Sequence, residues 1–105
     1  MTTFPQMADA FPSFDQSTLP AIPGGWQDSS WAGDICPSFI AAGDFTCQGP
    51  FAHVFIDYAE PSAREYPNSA RFAVVFVNGA SQEASGEIQS DDWAAILQAV
   101  EHWEP

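Results

Sequence analysis

Residues 70–79, ARFAVVFVNG, form the longest β-branched and aromatic run of the chain. The run is bounded by turn formers and is too short for a buried helix, so it reads as a strand. Phe72, Val74 and Phe76 alternate with Ala73, Val75 and Val77. Both sides are apolar, which marks a central strand. Asn78-Gly79 ends it with a strong hairpin-turn pair.

Toward the C-terminus, residues 81–89 read as a polar partner strand, with Glu83 and Glu87 facing water, and that polarity suits a sheet edge. Ser90 offers a hydroxyl cap for a helix, and Asp91 and Asp92 complement the positive end of its dipole. Trp93, Ile96, Leu97, Val100 and Trp103 then recur at helical spacing and make one stripe. A helix of about 12 residues is marginal alone in water, so the stripe must bury against the sheet. Glu101 and Glu104 sit at the unfavourable end of the same dipole.

Toward the N-terminus, residues 51–58, FAHVFIDY, alternate cleanly. Ala52, Val54, Ile56 and Tyr58 share one face; Phe51, His53, Phe55 and Asp57 share the other, whose mixed character predicts partial cover. Residues 39–42 and 45–48 read as a hairpin about Gly43-Asp44. That register sets Cys47 opposite Ile40 and Cys36 opposite Phe51, too far apart for a bridge, so both cysteines read as free thiols. Residues 59–69 are a turn-rich connection.

Prolines at 5, 12, 20 and 23 break any apolar period in residues 1–25. Phe4, Phe11, Phe14, Leu19 and Ile22 are still too apolar for a free tail, and the stretch reads as an extended arm over the domain. Trp26 and Trp31 fall in a loop. They either plug the rim of the core or form a recognition surface, where tryptophan is enriched. The expected fold is therefore α+β: an antiparallel β-meander of four to five strands, a C-terminal helix on one face and an extended N-terminal arm. Residues 1–34 are the arm and Trp loop, residues 35–105 the sheet and helix, and the whole is one domain.

The balance of charge is unusual. Fourteen Asp and Glu face Arg64 and Arg71 alone, with no lysine, for a formal net charge of −12. Such a surface repels itself and stays away from nucleic acid and anionic membranes. No basic stripe exists to neutralise phosphates, which disfavours direct nucleic-acid binding. No stretch approaches the roughly 20 apolar residues of a membrane span. Residues 1–11 lack the basic and apolar regions of a secretory signal, so the expected location is the cytoplasm.

Motifs for chemistry are missing. His53 and Asp57 share a face but lie roughly 13 Å apart along the strand, and His102 is on the polar side of the helix. There is no nucleophile elbow, no closely spaced Cys pair for zinc, no calcium loop and no glycine cradle between a strand and a helix. The chain is expected to be non-catalytic, with no metal and no cofactor.

What remains is a rigid body presenting carboxylates. Glu60, Glu65, Glu83, Glu87, Asp91 and Asp92, with Trp26 and Trp31, are the candidate partner-binding residues. The expected partner is a basic protein, because opposite charge speeds encounter and excludes wrong partners. In size and charge balance the chain resembles small acidic phage-encoded anti-CRISPR proteins and immunity proteins of nuclease toxins. The resemblance is one of type, carried by no motif. It implies an inhibitor that docks on the basic nucleic-acid-binding surface of a nucleic-acid enzyme by mimicry. The alternative is a non-catalytic interaction or ligand-binding domain using Trp26, Trp31 and the aromatic sheet face.

Overall fold

A computed structural model describes residues 4–104, so Met1–Thr3 of the expected arm and Pro105 lie outside the described residues. Residues Phe72–Val77 form strand β4, paired on one edge with β3 (Phe51–Ile56) and on the other with β5 (Ala84–Ser90). Strand β2 (Ser38–Gly43) lies beyond β3, and the two-residue β1 (Gln27–Asp28) completes that edge. Every pairing is antiparallel and the order is β1-β2-β3-β4-β5, a five-stranded meander. Helix α2 (Trp93–His102) follows it, giving the α+β arrangement expected from the hydrophobic periods.

The register assigns each side chain to a face. Phe39, Val54, Val74 and Ile88 stand in one row across the sheet; Ile40, His53, Val75 and Glu87 stand in the next row, on the other face. The first face carries the main core. Phe39, Val54, Ile56 and Val74 are completely buried there with Ile96 of α2 and Met7 of the N-terminal segment. Each such side chain contributes roughly 1.5–3 kcal/mol by leaving water. Aromatic rings tie the layers together: Trp93 lies 4.9 Å from Phe72 and 5.6 Å from Trp26, and Trp103 stacks on Phe76 at 5.5 Å.

The N-terminal segment is less extended than its prolines suggest. Residues Pro5–Ala10 form a short helix, α1, and Gln16–Thr18 a 3-10 turn. Pro5 occupies the first helical position, where its missing N–H would go unused anyway. Phe4, Met7 and Phe11 are spaced three and four apart, so the helix turns Met7 and Phe11 into the core. Asp28 holds the helix down by accepting the Met7 N–H at 2.8 Å. The segment thus covers the same sheet face as α2.

Three further local readings are corrected. Residues 45–48 are not a strand. Asp44 accepts hydrogen bonds from Thr46 N (2.9 Å), Thr46 Oγ1 (2.6 Å) and Gly49 N (2.7 Å) and winds residues 44–50 into a loop. Cys47 has φ of 62°, incompatible with a strand, and β2 pairs directly with β3 through Gly43 opposite Phe51. Asn78-Gly79 is not a two-residue turn either: Asn78 N donates to Glu83 O, and Gln82 N to Gly79 O. The loop is wider because Gly79, at φ of 93°, sits against Gly49, where any Cβ would come within 2.5 Å of backbone. Finally, Asp92 rather than Ser90 caps α2, accepting the Ala94 N–H at 3.1 Å. Ser90 ends β5 and its hydroxyl accepts the Asp92 N–H.

Candidate functional site

The carboxylates singled out by charge do two kinds of work. Asp91 accepts the backbone N–H of Arg71 at 2.8 Å, Asp92 caps α2, and Glu60 caps the 3-10 turn Pro61–Ala63 through Ser62. These three bind backbone. Glu65, Glu83 and Glu87 are exposed, and Glu87 accepts only from Gln89 two residues along its own strand. Glu87 projects on the sheet face opposite α2, whereas Asp92 belongs to the α2 side. Glu83 and Asp91 bracket β5, on the order of 25 Å apart along the strand. The expected set is therefore distributed over both layers.

The tryptophans also part company. Trp26 lies within the covered face, 6.2 Å from Phe39 and 5.6 Å from Trp93, and serves the core. Trp31 is 65% exposed, and its ring lies over Gly33. Only Trp31 keeps the surface role considered for both.

The arginines explain why the acidity is uncompensated. Arg64 donates to the carbonyls of Tyr58, Ala59 and Ser69, and Arg71 to those of Asp57 and Thr18. Both guanidinium groups are thus committed to backbone oxygen. Burial and the neighbouring Arg64 charge lower the Arg71 pKa, and Asp57 opposes them.

The open face of the sheet carries a feature that no short motif announced. Phe55 from β3, Ala73 and Val75 from β4, and Glu87 from β5 form the floor and one wall of a groove of about 420 Å³. Ile35 and Tyr66, from the flanking loops, rise at its rim and are 50% and 61% exposed. The groove exists because β4 presents its small residues here, beside the bulk of Phe55. Strand alternation groups Phe55 with Asp57 and Ala73 with Val75 within their own strands; the pairing that brings both groups onto one face, and the loops that wall it, were not legible.

Along the same face, the rings of Phe51, His53 and Phe55 follow one another at 6.1 and 4.3 Å. His53 Nε2 lies 3.2 Å from Ser29 Oγ, which also meets Ser38 Oγ at 3.0 Å. Burial lowers the His53 pKa, against a smaller upward pull from Asp34. A serine beside an imidazole has the outline of a nucleophile and its base, but among the described residues no carboxylate hydrogen-bonds the ring. The contact ties the segment after β1 to β3. Cys36 and Cys47 are free, and burial, aided by Asp57 and Asp34, pushes the Cys36 thiol up to about 12.

Among the described residues no group of three His, Cys, Asp or Glu converges to hold a metal ion, and no helix is long and apolar enough to cross a membrane. No protein-family model matches the chain, and no curated protein or solved structure is significantly similar to it.

Proposed function

We propose that this chain is a non-catalytic, acidic protein-binding domain that occupies the basic nucleic-acid-binding surface of an enzyme acting on nucleic acid, and so inhibits it. One observation carries the reading: the formal charge of −12 has no mobile internal counter-charge, because both arginines are spent on backbone carbonyls. A small folded body in that state attracts cationic surfaces over nanometre distances and repels anionic ones. Two free thiols suit a reducing compartment, and the cytoplasm is the setting proposed.

A second reading, a binding domain using an exposed sheet face, is favoured by the groove and by Trp31. Trp26 supplies no part of it.

The test is retention of lysate proteins on the immobilised chain, followed by stepwise salt elution and by competition with duplex DNA or RNA. The expected result is a basic nucleic-acid-binding protein released by moderate salt and displaced by nucleic acid. Glu87→Lys and Glu83→Lys should each weaken its binding about fivefold, the scale of one exposed ion pair, without changing the melting temperature by more than a few degrees. A retained protein indifferent to salt and to both reversals would overturn the reading.

A further inference from the structure

The groove on the open face is where the chemistry of a basic partner and the shape of this domain coincide. We infer that it seats a short cationic segment of that partner, with an arginine side chain directed at Asp57 and its aliphatic stem along Phe55 and Val75. The inference rests on the basic-partner reading above and adds the place and manner of contact.

Asp57 is the central observation. It is 6% exposed and lines the groove. Its Oδ1 accepts the Tyr58 N–H at 2.8 Å, whereas Oδ2 receives no hydrogen bond from any described residue. Yet no fully buried side-chain oxygen in the described residues lacks a partner, so Oδ2 keeps some exposure to solvent, on a residue that lines the groove. A carboxylate held in this way is poorly hydrated and gains more from a cation than an exposed one does. Arg71 lines the same groove and feels the Asp57 charge, but its hydrogen bonds go to the Asp57 carbonyl (Nε, 3.1 Å) and to Thr18 (NH2), none to the Asp57 carboxylate. Glu87 supplies a second carboxylate across the floor. The Cys36 thiol, pushed up chiefly by burial, is raised further by Asp57 and Asp34, in line with a negative charge on this side of the groove.

Other occupants fit less well. A second copy of this chain would bring −12 against −12, and an anionic ligand meets the same field. A wholly apolar segment would cover Asp57 and Glu87 without a hydrogen bond, at the cost of stripping their water. An arginine satisfies both demands. Its methylene stem covers apolar floor, its planar head meets a carboxylate, and the exposed Tyr66 ring offers a face to the guanidinium. The volume, about 420 Å³, falls in the range of ordinary recognition pockets, roughly 300–1,000 Å³.

The test is a nuclear magnetic resonance titration of the full ¹⁵N-labelled chain with the peptide acetyl-Leu-Arg-Leu-Arg-Leu-amide. Its analogue with glutamate in place of arginine serves as the control. Amide shifts centred on Phe55, Val75 and Glu87 are expected with the arginine peptide alone. Val75→Arg, which fills the groove with its own cation, should weaken binding at least tenfold, Asp57→Asn about tenfold and Glu87→Gln about threefold. If Asp57→Asn or Val75→Arg fails to fold, Glu87→Gln, on exposed surface, still decides. Shifts confined to other carboxylates, such as Glu101 and Glu104, would overturn the groove while leaving the basic-partner reading in place. Equal response to the glutamate peptide would overturn both. Silence toward the arginine peptide at millimolar concentration would overturn the groove, and the salt-elution result would then judge the partner reading separately.

Discussion

His53 illustrates how a single side chain on the half-covered face sets a measurable property. It lies between Phe51 and Phe55 and contacts Ser29 Oγ at 3.2 Å. Burial disfavours the imidazolium, so its pKa in the folded chain lies below the ordinary value of 6.5. The unfolded chain therefore binds the proton first as pH falls, and native stability drops from about pH 6.5 downward until the folded-state pKa is passed. His53→Phe removes that titration. The stability difference between the two chains, measured by urea unfolding from pH 7.5 to 5, should shift toward the variant as pH falls. A difference independent of pH would show that the imidazole is not held neutral. Asp15 and Asp44 act in the same direction as pH falls, over a lower range. Hydrogen bonds from Ser17 and Thr46 respectively hold both carboxyls below the usual range, so their support is present above about pH 3.8 and fades below it.

At the scale of elements, the hydrophobic periods of residues 72–77, 51–56 and 93–103 were sufficient to place two strands and a helix. The periods mislead where a side chain competes with the backbone ladder. Residues 45–48 alternate as a strand does, yet Asp44 captures two backbone N–H groups and the Thr46 hydroxyl, ending β2 at Gly43. Helix α1 begins at a proline, which reads as a breaker along the sequence, yet Pro5 stands at the first helical position, where proline is tolerated. At the start of α2, two acidic residues and a serine compete for one capping position, and β5 settles it by extending to Ser90. Asp92→Ala should therefore cost about 1 kcal/mol in urea-unfolding free energy. Loss of Ser90's hydroxyl removes a contact ahead of the helix and leaves the α2 cap intact. An Asp92→Ala stability within a few tenths of the parent would show that the cap contributes little.

Across the whole molecule, charge and shape were legible to different degrees. The acid excess was plain from composition, and it predicts self-repulsion in the folded state. Raising sodium chloride from about 0.02 to 0.5 M shortens the screening length several-fold and should raise the melting temperature by a few degrees. A constant or falling melting temperature would mean that the carboxylates are too widely separated to interact. Of the partner-binding residues expected from sequence, Glu87 and Trp31 are on open surface, while Trp26, Asp91 and Asp92 are engaged in holding the fold. Composition counts carboxylates; only coordinates distinguish a cap from a surface charge.

By itself the sequence determined the strand alternation, the amphipathic helix, the meander and the net charge, because each depends on neighbours along the chain. The tertiary structure alone decided which face is covered, how the N-terminal segment closes that face, and where Asp57 meets a groove. The covered face depends on Met7, Phe39, Val54 and Ile96, and the groove on Ile35, Phe55, Tyr66 and Val75, residues far apart along the chain that meet only in the folded state.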